Sequence, residues 1–178
     1  MTKIKIKSKA GIFFWITGLA GAGKSSIAKS LYPKIKKLYG PTLIISGDNL
    51  RNFGRFRKYS KEDRLKFSKA KLKFCELILS QKVNILYTTI SMFHKVREMN
   101  KKKFSNYIEI YIKTNLKTII STNKKKIYSR KKMKNIWGID IKPEFPKKPN
   151  IILVNDFKKP VQYYSDQIFH KLKKIINK

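Results

Sequence analysis

The sequence has few of the residues that hold metals or form cross-links, with one cysteine and two histidines among 178 residues. A single cysteine, Cys75, excludes an internal disulfide, and the two histidines are too far apart to suggest a zinc site. Cys75 lies in a helical apolar pattern, which predicts a buried, unreactive thiol in a reducing compartment. The stability of the fold must therefore come from its core.

Long apolar runs are also missing. No uncharged stretch approaches the roughly 18 residues that are needed to cross a bilayer. The first apolar run, residues 12–16, is too short for a signal-peptide core of roughly 7–15 residues. We expect a cytoplasmic protein without a membrane partner.

Acidic residues are scarce as well, with 10 Asp and Glu against 43 Lys and Arg and a formal charge of +33. A field of this sign attracts nucleic acids, anionic membranes and polyphosphates. Only 6 of the basic residues are arginine, and the lysines are spread along the whole chain. Proteins that read polynucleotides usually cluster arginine with stacking aromatics, so we expect a solvated surface and no specific nucleic acid. A nucleotide- or nucleic-acid-binding module without turnover is the alternative class.

Apolar residues, in contrast, make up 42% of the chain, enough for the core of one domain spanning residues 1–178. Strand-like apolar runs at residues 12–17, 42–46, 83–88, 107–112 and 150–154 alternate with helical or polar segments. This rhythm predicts an α/β fold with three layers, in which helices cover both faces of a mainly parallel, five-stranded sheet.

Helices are predicted at residues 25–38, 62–79 and 161–176. The second should bury the face formed by Phe67, Ala70, Phe74, Leu77 and Ile78. The third should pack back on the sheet through Ile168, Leu172, Ile175 and Ile176. Residues 1–11 are interpreted as a basic N-terminal segment, and the lysine-rich stretch from about 122 to 149 as a mobile lid or loop.

A glycine-rich loop follows the first predicted strand and precedes the first predicted helix, the context in which a Walker A motif is meaningful. Glycines let the backbone turn around phosphate oxygens, while a lysine reaches the β and γ phosphates and a hydroxyl ligates Mg²⁺. We therefore predict a P-loop fold of the nucleotide-kinase type that binds ATP and Mg²⁺. The predicted nucleotide-binding residues are Gly18, Leu19, Ala20, Gly21, Ala22, Gly23, Lys24, Ser25 and Ser26.

An acid and an arginine follow the second predicted strand in Ser-Gly-Asp-Asn-Leu-Arg, residues 46–51. Strand ends in open α/β sheets face the ligand crevice. There, Asp48 is placed to organise Mg²⁺ together with Ser25, or to accept a proton from an attacking hydroxyl. Arg51 is placed to bind an anionic acceptor. The alternative is an Asp–Arg pair that caps a helix.

Several motifs, in this order, resemble the adenylylsulfate kinase family. They are Gly-Leu-Ala-Gly-Ala-Gly-Lys-Ser, Gly-Asp-Asn-Leu-Arg, Tyr-Ser-Lys-Glu-Asp-Arg, Ile-Ser-Met-Phe and Trp-Gly-Ile-Asp. The resemblance extends from about residue 13 to residue 154. It implies a P-loop kinase, usually a homodimer, that transfers the γ-phosphoryl group of ATP to the 3′-hydroxyl of adenylylsulfate.

The same resemblance implies roles for particular residues. Arg51 and Arg64 align with arginines that hold the acceptor anion, and Tyr59 with an aromatic that stacks on the acceptor base. Ser91 aligns with a serine that contacts substrate, and Trp137 lies beside the position of a second stacking aromatic. The implied catalytic residues are Lys24, Asp48 and Ser91. The implied substrate-binding residues are Asp48, Arg51, Tyr59, Arg64, Ile90, Ser91 and Trp137.

Several departures from the family pattern leave the acceptor open, among them two beside the predicted acceptor residues. Phe67 stands where the family usually has asparagine, which removes a polar substrate contact, and Ser46 stands where it usually has an acid. Residues 88–93, Thr-Thr-Ile-Ser-Met-Phe, resemble a branch found with surface-polysaccharide genes, in which a cytidine diphosphoramidate kinase is one known activity. Adenylylsulfate is the first candidate acceptor and cytidine diphosphoramidate is its rival.

Overall fold

The computed structural model describes residues 3–7, 9–54, 60–122 and 138–177. The strands are β1 (Ile4–Lys5), β2 (Phe13–Thr17), β3 (Thr42–Ser46), β4 (Asn84–Thr89), β5 (Tyr107–Lys113), β6 (Ile151–Val154) and β7 (Ile176–Asn177). The helices are α1 (Lys24–Tyr39), α2 (Gly47–Phe53), α3 (Lys61–Ser80), α4 (His94–Lys103), α5 (Leu116–Thr122) and α6 (Val161–Ile175). Within these residues, no helix has the length and apolar character to span a membrane.

The main sheet has five parallel strands in the order β3-β4-β2-β5-β6. Its central strand is β2, in which Phe13 pairs with Ile85 of β4 on one side and with Tyr107 of β5 on the other. Because the strands are parallel, their carboxyl ends open onto one edge of the sheet, where a crevice forms at the reversal of strand order. The predicted α/β fold with a five-stranded parallel sheet is confirmed.

The core of the sheet is β2, whose residues Phe13, Phe14, Trp15 and Ile16 have no exposed surface. A strand that is buried on both faces needs no polar alternation, so its sequence is an unbroken apolar run. Each such side chain stabilises the fold by roughly 1.5–3 kcal/mol relative to an exposed one. α1 packs beside α6, and α3 beside α4.

The edge strands are less covered than continuous apolar runs predict. Leu43 and Ile44 of β3 are exposed, and so are Ile152 and Val154 of β6. Each of these strands has a neighbour on one side only. The continuous apolar runs of these edge strands therefore do not mean that both of their faces are fully covered.

The predicted buried face of α3 is partly wrong, because Ala70, Phe74 and Leu77 are exposed. The stripe that is buried consists of Phe67, Ser68, Lys71, Cys75 and Leu79. A prediction from apolar periodicity places every lysine in solvent. The buried face that it predicted for α3 was therefore turned away from Lys71. Cys75 is buried, and this burial raises the pKa of its thiol to about 12.

Helices α2, α4 and α5 and strands β1 and β7 were not predicted. α4 has no continuous apolar stripe because Arg97 and Asn100 are buried in it beside Val96. The N-terminal segment contributes β1, which pairs in parallel with β7 directly after α6. Ile176 therefore lies in a strand instead of ending the last helix.

Of the predicted lid, residues 123–137 lie outside the described residues. The part that follows is held to the body of the protein. The Glu144 N–H donates to the Met92 carbonyl at 3.0 Å, in the loop that leads into α4. The Gly138 N–H donates to the Ile141 carbonyl at 2.9 Å.

Candidate active site

The glycine-rich loop connects the end of β2 to the start of α1. Gly23 is the N-cap of α1 at φ 85°, a left-handed conformation that glycine adopts without strain. A Cβ at this position would come within 2.6 Å of Asn155 Nδ2, so the site has no room for a side chain. The loop thus leads directly into a helix N-terminus, whose N–H groups and dipole favour an anion.

Lys24 opens α1 and is buried. Its ammonium donates to the Leu19 carbonyl at 2.6 Å, which holds the lysine charge at the loop. Leu19 and Ala22 are themselves buried, so their side chains belong to the core. Ser25 and Ser26 are exposed at the start of the helix.

A cavity of about 250 Å³, which we call the donor cavity, opens beside this loop. The predicted residues in its lining are Gly21, Gly23, Lys24, Ser25 and Ser26. The opposite wall, which sequence reasoning missed, includes Asn155, Phe157, Lys159 and Tyr164. The sequence did offer one indication of this wall. Its first residue, Asn155, directly follows β6, and the carboxyl ends of parallel strands face the ligand crevice.

Asn155 joins the two walls of the donor cavity. Its Nδ2 donates to the Ala22 carbonyl at 3.0 Å, and its Oδ1 accepts from the Phe157 N–H at 3.1 Å. Phe157 has φ 62°, a left-handed conformation that is unusual for an aromatic residue and that the surrounding contacts must maintain. The wall is therefore a defined turn that is fixed to the glycine loop.

A second cavity, of about 60 Å³, lies at the ends of β3 and β4, and we call it the acceptor cavity. It brings together five predicted residues, namely Asp48, Arg51, Arg64, Ile90 and Ser91. Sequence reasoning did not place Ser68, Lys71, Tyr87, Thr89 and Phe93 in this lining, nor did it predict Phe67 as a wall. Tyr59 and Trp137 lie outside the described residues.

Local capping positions the charged residues of the acceptor cavity. Ser46 caps α2 by accepting the Asn49 N–H at 3.0 Å, so the alternative in which Asp48 is the cap is wrong. Ser60 caps α3 in the same way, accepting the Asp63 N–H at 3.1 Å. Asp48 and Arg64 therefore lie in the first turns of two helices that begin at this edge of the sheet.

Phe67 stacks on Arg51, a contact that the apolar pattern of α3 did not predict. The guanidinium carbon of Arg51 lies 4.3 Å from the centre of the Phe67 ring. A guanidinium stacked on a ring keeps its hydrogen-bonding edge pointing away from that ring, so Phe67 orients Arg51 without using its N–H donors. Arg51 is 7% exposed, which strengthens this contact.

Lys71 and Tyr87, both buried, form the floor of the acceptor cavity, and the Trp15 ring lies next to them in the core. The Lys71 ammonium lies 4.0 Å from the Trp15 ring centre and 5.4 Å from that of Tyr87. Burial lowers the pKa of Lys71 to about 7. Burial also raises the pKa of Tyr87 well above its usual value, so this phenol remains neutral.

A third cavity, of about 30 Å³, lies between the other two. Its lining includes one acidic residue, one lysine and four hydroxyl-bearing residues, namely Asp48, Lys24, Ser25, Ser46, Thr88 and Thr89. Oxygen donors around a small space suit Mg²⁺, which is usually held by one or two protein oxygens together with substrate phosphates. Among the described residues, no cluster of three or more His, Cys, Asp or Glu could hold a metal alone.

Asp48 lines both the acceptor cavity and this connecting cavity, which Lys24 and Ser25 also line. A nucleotide at the glycine loop and a molecule in the acceptor cavity would thus both border the same carboxylate. Catalysis of phosphoryl transfer depends mainly on such positioning and on charge stabilisation. On a parallel sheet with the glycine loop after its central strand, this arrangement defines a P-loop kinase.

Comparison with known proteins specifies the class further. The adenylylsulphate kinase family model matches residues 10–154. The chain therefore belongs to the adenylylsulphate kinase family and is an ATP-dependent phosphotransferase of the nucleotide-kinase type.

Two relatives and one solved structure illustrate this membership. The chain is 34% identical over 145 residues to the cytidine diphosphoramidate kinase of Campylobacter jejuni subsp. jejuni serotype O:2, covering 80% of this chain and 84% of the relative. It is 30% identical over 166 residues to the adenylyl-sulfate kinase of Gloeothece citriformis, covering 91% and 94%. The fold matches the Mycobacterium tuberculosis APS kinase CysC in complex with AMPPNP and APS, with a TM-score of 0.83, 23% identity, and coverage of 92% and 98%.

Proposed function

We propose that the protein transfers the γ-phosphoryl group of ATP to a ribose hydroxyl of a small nucleotide whose other end carries two linked anionic centres. Cytidine diphosphoramidate is the favoured acceptor, and the 3′-hydroxyl of adenylylsulfate is the second candidate. The observation that carries the proposal is the position of Asp48, which borders both the acceptor cavity and the space next to Lys24 and Ser25.

In this proposal, the glycine loop and the N-terminus of α1 bind the phosphates of ATP, and Lys24 moves from the Leu19 carbonyl to the β and γ phosphates. The turn containing Asn155 and Phe157 provides the wall for the rest of the nucleotide. Ser25 and Asp48 hold Mg²⁺, which when bound neutralises charge on the transferred group.

On the acceptor side, Arg51 and Arg64 hold the anionic end, while Ile90 and Ser91 contact the substrate near the transferred group. Asp48 orients the attacking hydroxyl and accepts its proton. Proton removal is a minor part of phosphoryl transfer, so the main contribution of these side chains is to hold the two substrates in line. Tyr59, Trp137 and the homodimer that the family resemblance implies stay predictions.

Two observations favour cytidine diphosphoramidate. The relative that acts on it is 34% identical to this chain, against 30% for the adenylyl-sulfate kinase of Gloeothece citriformis. In addition, Phe67 fills the wall at which the adenylylsulfate kinase pattern has a polar asparagine, and it stacks on Arg51. Adenylylsulfate stays a candidate because both acceptors present two linked tetrahedral centres to the same arginines.

The test is ADP release from ATP and Mg²⁺ with each acceptor, followed by location of the new phosphate by ³¹P NMR. We expect turnover with cytidine diphosphoramidate and much slower turnover with adenylylsulfate. The reverse order would assign the second candidate, and release with neither acceptor would contradict the proposal.

Two variants separate the two halves of the site. Lys24→Ala should abolish transfer to any acceptor, whereas Lys29→Ala, at an exposed position on the same helix, should not. Arg64→Ala should mostly raise the KM for the acceptor, whereas Lys66→Ala, exposed on α3, should leave it unchanged. Near-normal turnover of Lys24→Ala would show that the glycine loop is not the donor site.

A further inference from the structure

Lys71 is a buried lysine whose hydrogen-bonding capacity is not satisfied by the described part of the protein. The residue is 2% exposed, and its ammonium has no hydrogen-bond partner among the described residues. Its contacts are the faces of Trp15 and Tyr87, whose rings are themselves stacked, with centres 5.2 Å apart. A cation over an aromatic face is stabilised, but these contacts replace none of the hydrogen bonds that water would make.

The surroundings of Lys71 point toward a ligand. Lys71 lines the acceptor cavity together with Arg51 and Arg64. One further polar atom of this lining, the Tyr87 hydroxyl, is also buried without a hydrogen-bond partner in the described part of the chain. These two unmet donors lie in the same cavity as two arginines, and the oxygens of an anion would supply the acceptors that the two donors lack.

We infer that Lys71 binds the terminal anionic group of the acceptor at the inner end of the acceptor cavity, as a third cation beside Arg51 and Arg64. This inference rests on the proposed function and refines its substrate class. The acceptor is then a nucleotide whose outermost tetrahedral centre carries negative charge and enters the cavity first. Its ribose lies toward Asp48 and the donor cavity.

The position also makes acceptor binding sensitive to pH. Burial lowers the pKa of Lys71 to about 7, so the empty site is only partly protonated at neutral pH, and an anion binds with uptake of a proton. Five titratable or charged groups surround Lys71 on its own helix, on the sheet and across the cavity: Cys75, Tyr87, Asp48, Arg51 and Arg64. Cys75 and Tyr87 have raised pKa values and stay neutral between pH 6 and 8.

The experiment uses the full chain saturated with ADP and Mg²⁺, so that the donor cavity is filled. The probe is methanedisulfonate, which carries two linked anionic centres and does not itself titrate between pH 6 and 8. Its Kd is measured by calorimetry for the wild type, for Lys71→Met and for Lys73→Met, a matched change at an exposed position on the same helix. Melting temperatures check that each variant is folded.

At pH 6, Lys71→Met should weaken probe binding by about tenfold or more, because a charge-assisted hydrogen bond is lost. Lys73→Met should bind like the wild type. The wild-type Kd should rise about tenfold from pH 6 to pH 8, following the protonated fraction of a group with a pKa of about 7, and this rise should be absent in Lys71→Met.

The inference would be overturned by equal Kd values for the wild type and Lys71→Met, by a pH dependence that survives the substitution, or by a wild type that does not bind the probe. Failure of the proposed function is a separate result. If the protein turns over an acceptor but Lys71→Met does not change the Kd of the probe, the inference is wrong and the proposed function stands. If probe binding depends on Lys71 but no acceptor is turned over, the proposed function is wrong and the anion site at Lys71 stands.

Discussion

Replacing Lys71 with methionine should change how the stability of the protein depends on pH. Burial lowers the pKa of the Lys71 ammonium from 10.5 to about 7 in the folded chain. Between these values, the unfolded chain binds a proton that the folded chain does not, so the contribution of Lys71 to stability rises with pH across this window. From pH 7 to pH 9, this rise amounts to about 2 kcal/mol in the free energy of unfolding.

The assay is urea unfolding of the wild type, Lys71→Met and Lys73→Met at pH 7 and pH 9 without ligand. All other titrating groups are common to the three proteins, so their differences isolate single ammonium groups. The upper limit is pH 9 because the Cys75 thiol, whose pKa burial raises from 9.0 to about 12, begins to ionise in the unfolded chain there.

We expect Lys71→Met to lose about 2 kcal/mol relative to the wild type between the two pH values, because methionine has no proton to release on folding. Lys73 is exposed, so Lys73→Met should show no such change. A relative stability of Lys71→Met that is the same at both pH values would refute the idea that a buried ammonium with a lowered pKa forms the floor of the acceptor cavity.

Three further substitutions test other contacts. Phe67→Ala removes the ring under Arg51 and should raise the acceptor KM severalfold in steady-state kinetics without changing the KM for ATP; an unchanged acceptor KM would contradict the orienting role. Asn155→Ala should raise the KM for ATP and lower the urea-measured free energy of unfolding by about 1–3 kcal/mol, because a buried carbonyl of the glycine loop loses its donor. Glu109→Gln leaves Arg97, whose Nε lies 2.8 Å from the carboxylate, buried without its counter-charge. Thermal unfolding should show a loss of about 3–5 kcal/mol, and a loss below about 1 kcal/mol would mean that the pair is dispensable.

Much of the donor half of the site could be predicted from the sequence, because its parts are contiguous. The strand, the glycines, Lys24 and Ser25 follow one another, and each has a local physical reason to be there. On the acceptor side, Asp48, Arg51 and Ser91 each follow the end of a strand, and the parallel sheet brings all such ends to one edge. These predictions needed only the order of the elements.

Other parts of the site could not be predicted because they depend on contacts between distant segments. Asn155 meets the glycine loop across more than a hundred residues of chain. Phe67 of α3 stacks on Arg51 of α2, and this contact exists only because the fold brings the two helices together. An aromatic residue in a helical pattern carries no local sign of such a contact.

The sequence by itself determined the class of fold, the glycine-rich loop and the edge of the sheet at which the candidate site lies, because periodicity and short motifs act locally. Only the tertiary structure decided which face of α3 is buried and, with it, the place of Lys71. Most of the lysines that the structure describes are exposed, and the sequence pattern does not distinguish Lys71 from them. Lys71 packs against Trp15 and Tyr87 and is thereby removed from water. Without water, its charge needs a partner, which exposed lysines do not.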